Sequence, residues 1–260
     1  MRGLILVAAL AARSASAEEA IAFSVQAGAG SRGDERVELS ARAQLGDGAL
    51  LFGVETTQGQ RSPERTGLVA GAEVSLEPIA LHAEVRAVPP SVELSRFALE
   101  AGARLEGKEG AGGLALLLRK ERLRDSELQS AGLALEGEWA AASQFRLGLR
   151  GAAWATQLTG PAVLDEAWST FGDETLAWTE RWEAQVWSRI SLGPLALTPA
   201  LALAQPAQSG QWAARAALQV EASVGPLVVS VEGSAAREWP RELLLGGLTL
   251  GLSWQIGGER

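Results

Sequence analysis

Arg36-Val37-Glu38-Leu39-Ser40-Ala41-Arg42-Ala43-Gln44-Leu45 changes character at every residue. Val37, Leu39, Ala41, Ala43 and Leu45 fall on one side of an extended chain, and Glu38, Ser40, Arg42 and Gln44 on the other. A period of two marks a strand with one apolar and one polar face. The same rhythm returns at 79–88, where Ile79, Leu81, Ala83, Val85 and Ala87 alternate with Ala80, His82, Glu84 and Arg86. It recurs in Phe97–Leu105, Gln144–Trp154, Trp212–Val224 and Leu227–Arg237.

Carried along the chain, the pattern predicts strands near 20–28, 36–45, 49–57, 67–76, 79–88, 95–106, 111–121, 130–139, 144–154, 180–192, 195–204, 212–224, 227–237 and 243–256. Most are close to the roughly 9–11 residues that a tilted membrane strand needs. Connections after even-numbered strands are short: Gly46-Asp47-Gly48, Glu77-Pro78, Gly107–Gly110, Ala140–Ser143, Gly193-Pro194 and Gly225-Pro226. Those after odd-numbered strands are mostly longer: Ala29–Glu35, Gln58–Thr66, Arg122–Gln129, Ala155–Thr179, Gln205–Gln211 and Glu238–Glu242, with Pro89-Pro90-Ser91 the short exception. Short turns on one rim and longer loops on the other are the habit of transmembrane barrels. No position assigned to the apolar face carries Asp, Glu, Lys or Arg, although 21% of residues are charged. The fold class expected is therefore all-β: a transmembrane antiparallel up-and-down β-barrel of about fourteen strands, with twelve or sixteen as alternatives. A soluble β-sandwich would also hide one face of each sheet, but its core would be richer in large side chains than this Ala- and Gly-rich face.

Composition narrows the function. The 260 residues include 30 Gly and no Cys, so disulfides and cysteine-ligated metals are excluded. Met1-Arg2, the apolar Gly3–Ala12 and the Ala15-Ser16-Ala17 site have the order of an export signal. Residues 1–17 are thus expected to be a signal peptide and 18–260 a single barrel domain. Without Arg2 and Arg13, 21 basic face 31 acidic residues, a net charge of −10. That acidity argues against nucleic acid as a partner. After the signal no apolar run reaches the 18 residues of a membrane helix.

The last strand reads Thr249-Leu250-Gly251-Leu252-Ser253-Trp254-Gln255-Ile256. It resembles the C-terminal β-signal of bacterial outer-membrane barrels, in which a polar residue, a Gly and two aromatic residues recur at fixed spacing. Thr249, Gly251 and Trp254 match; Ile256 stands where the second aromatic is usual, and four further residues follow. The resemblance implies the bacterial outer membrane as location, its lipid as surroundings, and insertion by the barrel-assembly machinery. In size and strand count the chain also resembles small monomeric porins, although the oligomeric state stays open.

On the polar face stand Glu38, Arg42, Glu55, Glu73, His82, Glu84, Arg86, Glu100, Arg104, Arg119, Glu136, Glu138, Arg146, Arg150, Glu183, Arg189, Arg215, Glu221 and Glu232. Their near balance of sign suits either a polar conduit with weak ion preference or an ion-pair network filling a closed barrel. Asp165, Glu166, Asp173 and Glu174 make the long 155–179 connection acidic, so that it would narrow a pore if folded inward and be an ordinary surface loop if folded outward. Trp139, Trp154, Trp178, Trp182, Trp212, Trp239 and Trp254 fall near strand ends, where indole favours a membrane interface. His82 is the only histidine, and no G-x-S-x-G is present. No catalytic, cofactor or metal site is predicted. The two functional expectations are a channel for ions or small polar solutes, and a non-conducting structural, adhesion or anchoring barrel acting through its loops.

Overall fold

The computed structural model describes residues 20–30, 35–59, 62–88, 94–123, 126–160, 180–206, 212–238 and 243–257. The chain forms fourteen strands: β1 (Ala20–Gly30), β2 (Glu35–Leu45), β3 (Gly48–Gly59), β4 (Ser62–Leu76), β5 (Ile79–Val88), β6 (Leu94–Glu106) and β7 (Gly110–Leu123), then β8 (Ser126–Ala142), β9 (Phe145–Thr159), β10 (Glu180–Leu192), β11 (Leu195–Pro206), β12 (Ala213–Val224), β13 (Leu227–Glu238) and β14 (Leu243–Gly257). Each strand pairs antiparallel with its sequence neighbours, and β1 closes on β14 over the full run from Ala20↔Gly257 to Gly30↔Gly247. The expected closed barrel and its strand number are both present. Closure leaves no edge, the one arrangement of strands that satisfies every backbone group in lipid.

The pairings fix the shape. From Ala20 the partners run through Gln44, Ala49, Glu73, His82, Gly102, Ala115, Ala134, Ala152, Glu183, Ala204, Ala213 and Glu238 to Leu243. Ala20 itself pairs with Gly257, so one circuit returns displaced by 257 − 243 = 14 residues. That is a stagger of one residue per strand. With about 3.3 Å per residue and about 4.8 Å between strands, the strands tilt by about 35°, and the backbone wall is about 26 Å across. Each residue then rises about 2.7 Å along the barrel axis.

Large apolar side chains cover the outside. Phe52, Leu68, Leu135, Leu201, Leu248 and Leu250 each leave more than half of their surface uncovered by the rest of the chain, whereas the most hidden apolar residues include Ala49, Val69, Ala80 and Ala115 on the inner face. Such a continuous apolar belt is far larger than a soluble protein tolerates. Its height is set by charge. In β2, β7 and β13 the first outward charges, Glu35, Lys120 and Arg237, each stand ten residues from the short-turn ends Leu45, Gly110 and Leu227. Ten residues rise about 27 Å, against an apolar band of about 25 Å in outer-membrane barrels.

The short turns follow local chemistry. Gly46, Gly193 and Gly225 open two-residue turns with φ of 58°, 64° and 60°, a conformation that Gly adopts without steric cost. Two expected loops are shorter than predicted. Over 58–66 and 122–129 the strands continue to Gly59 and from Ser62, and to Leu123 and from Ser126. The charged run there remains in register because both faces meet water above the lipid, and Lys120 pairs with Glu127 at 3.1 Å. Likewise β9 continues to Thr159, so the long connection begins at Gly160 rather than Ala155. Pro199 sits in mid-strand in β11. The β10–β11 pairing steps from Trp187↔Ala200 to Ile190↔Leu197, skipping the residues around Pro199, which has no N–H to give.

Candidate functional site: the barrel lumen

Directly paired residues share a face, so register assigns every side chain. Arg42, Glu55, Glu73, His82, Glu84, Arg86, Glu100 and Arg104 lie on the inner face of β2–β6. Glu136, Glu138, Arg146, Arg150, Glu183, Arg189, Arg215, Glu221 and Glu232 lie on the inner face of β8–β13.

The arginines lie along the wall rather than across the pore. Arg42 reaches from β2 to Glu73 on β4 at 2.6 Å, past Ala49 on β3. Arg104 reaches from β6 to Glu138 on β8 at 3.1 Å, past Gly113 on β7. Arg189 on β10 meets Glu221 on β12, past Ala196. Arg150 spans farthest, from β9 to Glu100 on β6 at 2.9 Å, over Ala134 and Ala115. Ala49, Gly113, Ala196, Ala134 and Ala115 are small inward residues on the intervening strands, although Arg42 itself stands opposite Leu51 and Glu100 opposite Leu117. Arg150 stands opposite Glu136 in register yet closes on Glu100, two strands farther along the wall.

These contacts join into clusters. Arg36 holds Glu38 at 2.8 Å and Glu55 at 3.3 Å, and Arg86 holds Glu84 at 2.7 Å and Glu55 at 3.7 Å. Glu138 also accepts from Arg146 at 2.9 Å. His82 faces Glu100 at 3.8 Å and stands opposite Glu73, so its surroundings are acidic. Arg215 approaches Glu232 at 3.6 Å. Most of these groups are partly exposed, so each pair contributes about 0–1 kcal/mol. Their collective effect is a lumen with little net field.

The wall is not uniform. Strands β2–β9 carry most of the charge. From β11 to β1 the inner face holds Thr198, Ala200, Ala202, Ala217, Ser230, Ser234, Thr249, Gly251 and Ser24, small residues that leave space beside them. Toward the long-loop rim, β7–β9 pack an apolar patch of Ala115, Leu117, Ala134, Ala152 and Trp154. Beside it Arg96 pairs with Glu121 at 3.2 Å, where Glu121 is 1% exposed and Leu128 fully buried.

Trp154 corrects one expectation. It was predicted in the interface girdle, but it shares a face with Arg150 and Ala152 and points into the lumen. Its ring is buried under the Arg119 guanidinium, 4.4 Å from the centroid. Trp139 and Trp254 point outward near the short-turn rim. Trp182 and Trp212 point outward near the opposite rim, packed edge to face at 4.6 Å, with Trp182 Nε1 donating to Gln205. Trp178, Trp239, the acidic group Asp165, Glu166, Asp173 and Glu174, and residues 1–17 lie outside the described residues. In the terminal motif Thr249 and Gly251 face inward and Trp254 and Ile256 outward. A Cβ on Gly251 would meet the Ser230 hydroxyl, which would have to rotate away to admit it.

Inward residues that escaped the sequence reading include Arg36, Arg96, Glu121 and Trp187. Strand parity was the signal, since Arg96 precedes Ala98 by two, Glu121 follows Arg119 by two, and Trp187 stands midway between Gln185 and Arg189.

No protein-family model matches the chain, and no curated protein matches its sequence. Among solved structures it is similar to an anion-selective porin from Comamonas acidovorans, at 8% identity and a TM-score of 0.50, covering 93% of this chain and 99% of that one. It is also similar to the NanC porin (10% identity, TM-score 0.48, 90% of this chain and 100% of that one). An OmpT loop-deletion mutant from Vibrio cholerae aligns over 92% of this chain and 98% of its own, at 8% identity and a TM-score of 0.48. Of these, the Comamonas alignment supports the fold, a closed barrel of the porin type.

Proposed function

We propose that the chain is a channel in the bacterial outer membrane, passing ions and small polar solutes with weak charge preference. The observation carrying this reading is the lumen wall: interleaved arginines and glutamates held along β2–β9, opposite a wall in which small Ala, Ser, Gly and Thr residues surround the few charges Arg215, Glu221 and Glu232. Pairs held along the wall suit a conduit, and neutralised pairs favour neither sign. The outward belt, about 27 Å tall, supports residence in lipid, and the terminal Thr249, Gly251, Trp254 and Ile256 support insertion by the barrel-assembly machinery. His82 is read as a wall residue without a catalytic role, since its neighbours are acids that pair with arginine.

The test is conductance of the purified protein in planar bilayers. Discrete open-channel steps are expected, with a reversal potential close to zero in a KCl gradient. Strong selectivity for either ion would overturn the weak-preference reading. A second reading, a non-conducting barrel, is favoured by the packed patch around Leu117, Leu128 and Trp154, which fills one side of the lumen near the long-loop rim. Silence in bilayers of a correctly folded protein would favour it.

A further inference from the structure

We propose that Trp187 is a stacking platform for an uncharged sugar ring at mid-depth in the lumen; this deepens the channel reading and rests on it. Trp187 lies on the inner face of β10, five residues above Leu192 at the short-turn rim, about 13 Å into a wall about 27 Å tall. Its partner across β9 is Gly148, and a Cβ there would strike the six-membered part of the indole. The ring therefore lies down on the Gly148 backbone, and glycine is what permits it. Packed there, the ring keeps part of its surface open. On the β11 side the partner is Ala200, too small to cover it.

Among the described residues, Trp154 and Trp187 are the tryptophans on the inner face, and they differ in one respect. Trp154 is buried beneath Arg119, whereas Trp187 is only half-buried. Around Trp187 stand Arg150, Arg189 and Gln185. Arg150 is held by Glu100 and Arg189 by Glu221, so the surroundings offer hydrogen-bond donors and acceptors with the charge already balanced.

An aromatic face is electron-rich and attracts the weakly positive C–H edges of an apolar ring face. A pyranose has such a face and a rim of hydroxyls suited to the flanking amide and ion pairs. An anionic solute would have to displace Glu100 or Glu221 from its arginine. The chemistry recognised is thus a neutral sugar, with sites of this kind built from one apolar surface and a few polar groups.

Maltotriose serves as the probe, with two parallel readouts: titration calorimetry of the detergent-solubilised barrel, and current blockade of single channels. Trp187→Ala is expected to weaken maltotriose binding about tenfold and Trp187→Phe by a smaller factor, while Trp139→Ala on the outer surface leaves it unchanged. Should Trp187→Ala fail to fold, Trp187→Phe against the parent carries the comparison. No binding by the parent, or equal affinity in the Trp187 variants, overturns the platform, and a conducting channel would still stand. Binding that depends on Trp187 in a barrel that never conducts sinks the channel reading and supports the platform.

Discussion

Three substitutions to arginine on β12 separate lipid, rim and lumen within one strand. Leu218 points outward and is 48% exposed; its neighbour Gln219 points inward, paired with Thr198 and Glu232. Val224 points outward at the short-turn end and is 69% exposed. Leu218 lies six residues from Val224, about 16 Å along the barrel axis at a tilt of about 35°. That places Leu218 near the middle of the apolar band and Val224 at its margin. An arginine at mid-depth costs about 2–4 kcal/mol, and one near the interface about 0–1 kcal/mol. Leu218→Arg should therefore lower the folding equilibrium about 30- to 700-fold, Val224→Arg about fivefold or less, and Gln219→Arg hardly at all. The assay is reversible urea unfolding in lipid vesicles, with heat-dependent gel mobility as the measure of the folded fraction. Equal losses at Leu218 and Gln219, or a greater loss at Val224 than at Leu218, would refute both the inside–outside assignment and the depth scale.

Other outcomes follow from the interior. Arg96→Ala removes the arginine 3.2 Å from the 1%-exposed Glu121 and should destabilise the barrel in the same unfolding assay, while Arg96→Met with Glu121→Leu recovers most of the loss. Trp154→Ala removes a buried ring and should cost about 3–5 kcal/mol, whereas Trp254→Ala on the outer rim should cost far less; the reverse order would restore Trp154 to the girdle. Pro199→Val supplies the missing ladder donor opposite β10 and should gain about 0.5–1.5 kcal/mol, together with slower exchange of the amide at position 199. No change in that amide's protection would place the gap elsewhere.

Much of this architecture was readable because lipid enforces a binary code. Where the outer face meets hydrocarbon and the inner face meets water, alternation is strict, and all fourteen strands could be placed from it. The misreadings share a cause. Trp154 was judged by its nearness to a strand end rather than by parity, although Arg150 and Ala152 fix its face. The ends at 58–66 and 122–129 were read as loops because alternation fades there. Above the lipid both faces are wet, so Lys120, Arg122 and Glu127 cost nothing outside and the strand signal disappears while the strand continues. The arginine partners were unreadable for another reason. Neighbouring-strand logic pairs Arg150 with Glu136, but the actual partner, Glu100, stands two strands farther along the wall. Placing it requires the one-residue stagger, a property of the closed ring and of no single hairpin. Once the stagger is known, the charge pattern becomes a ruler: Glu35, Lys120 and Arg237, on three separated strands, each stand ten residues above a short turn. Three independent hairpins agree on that spacing because one bilayer thickness sets it for all of them.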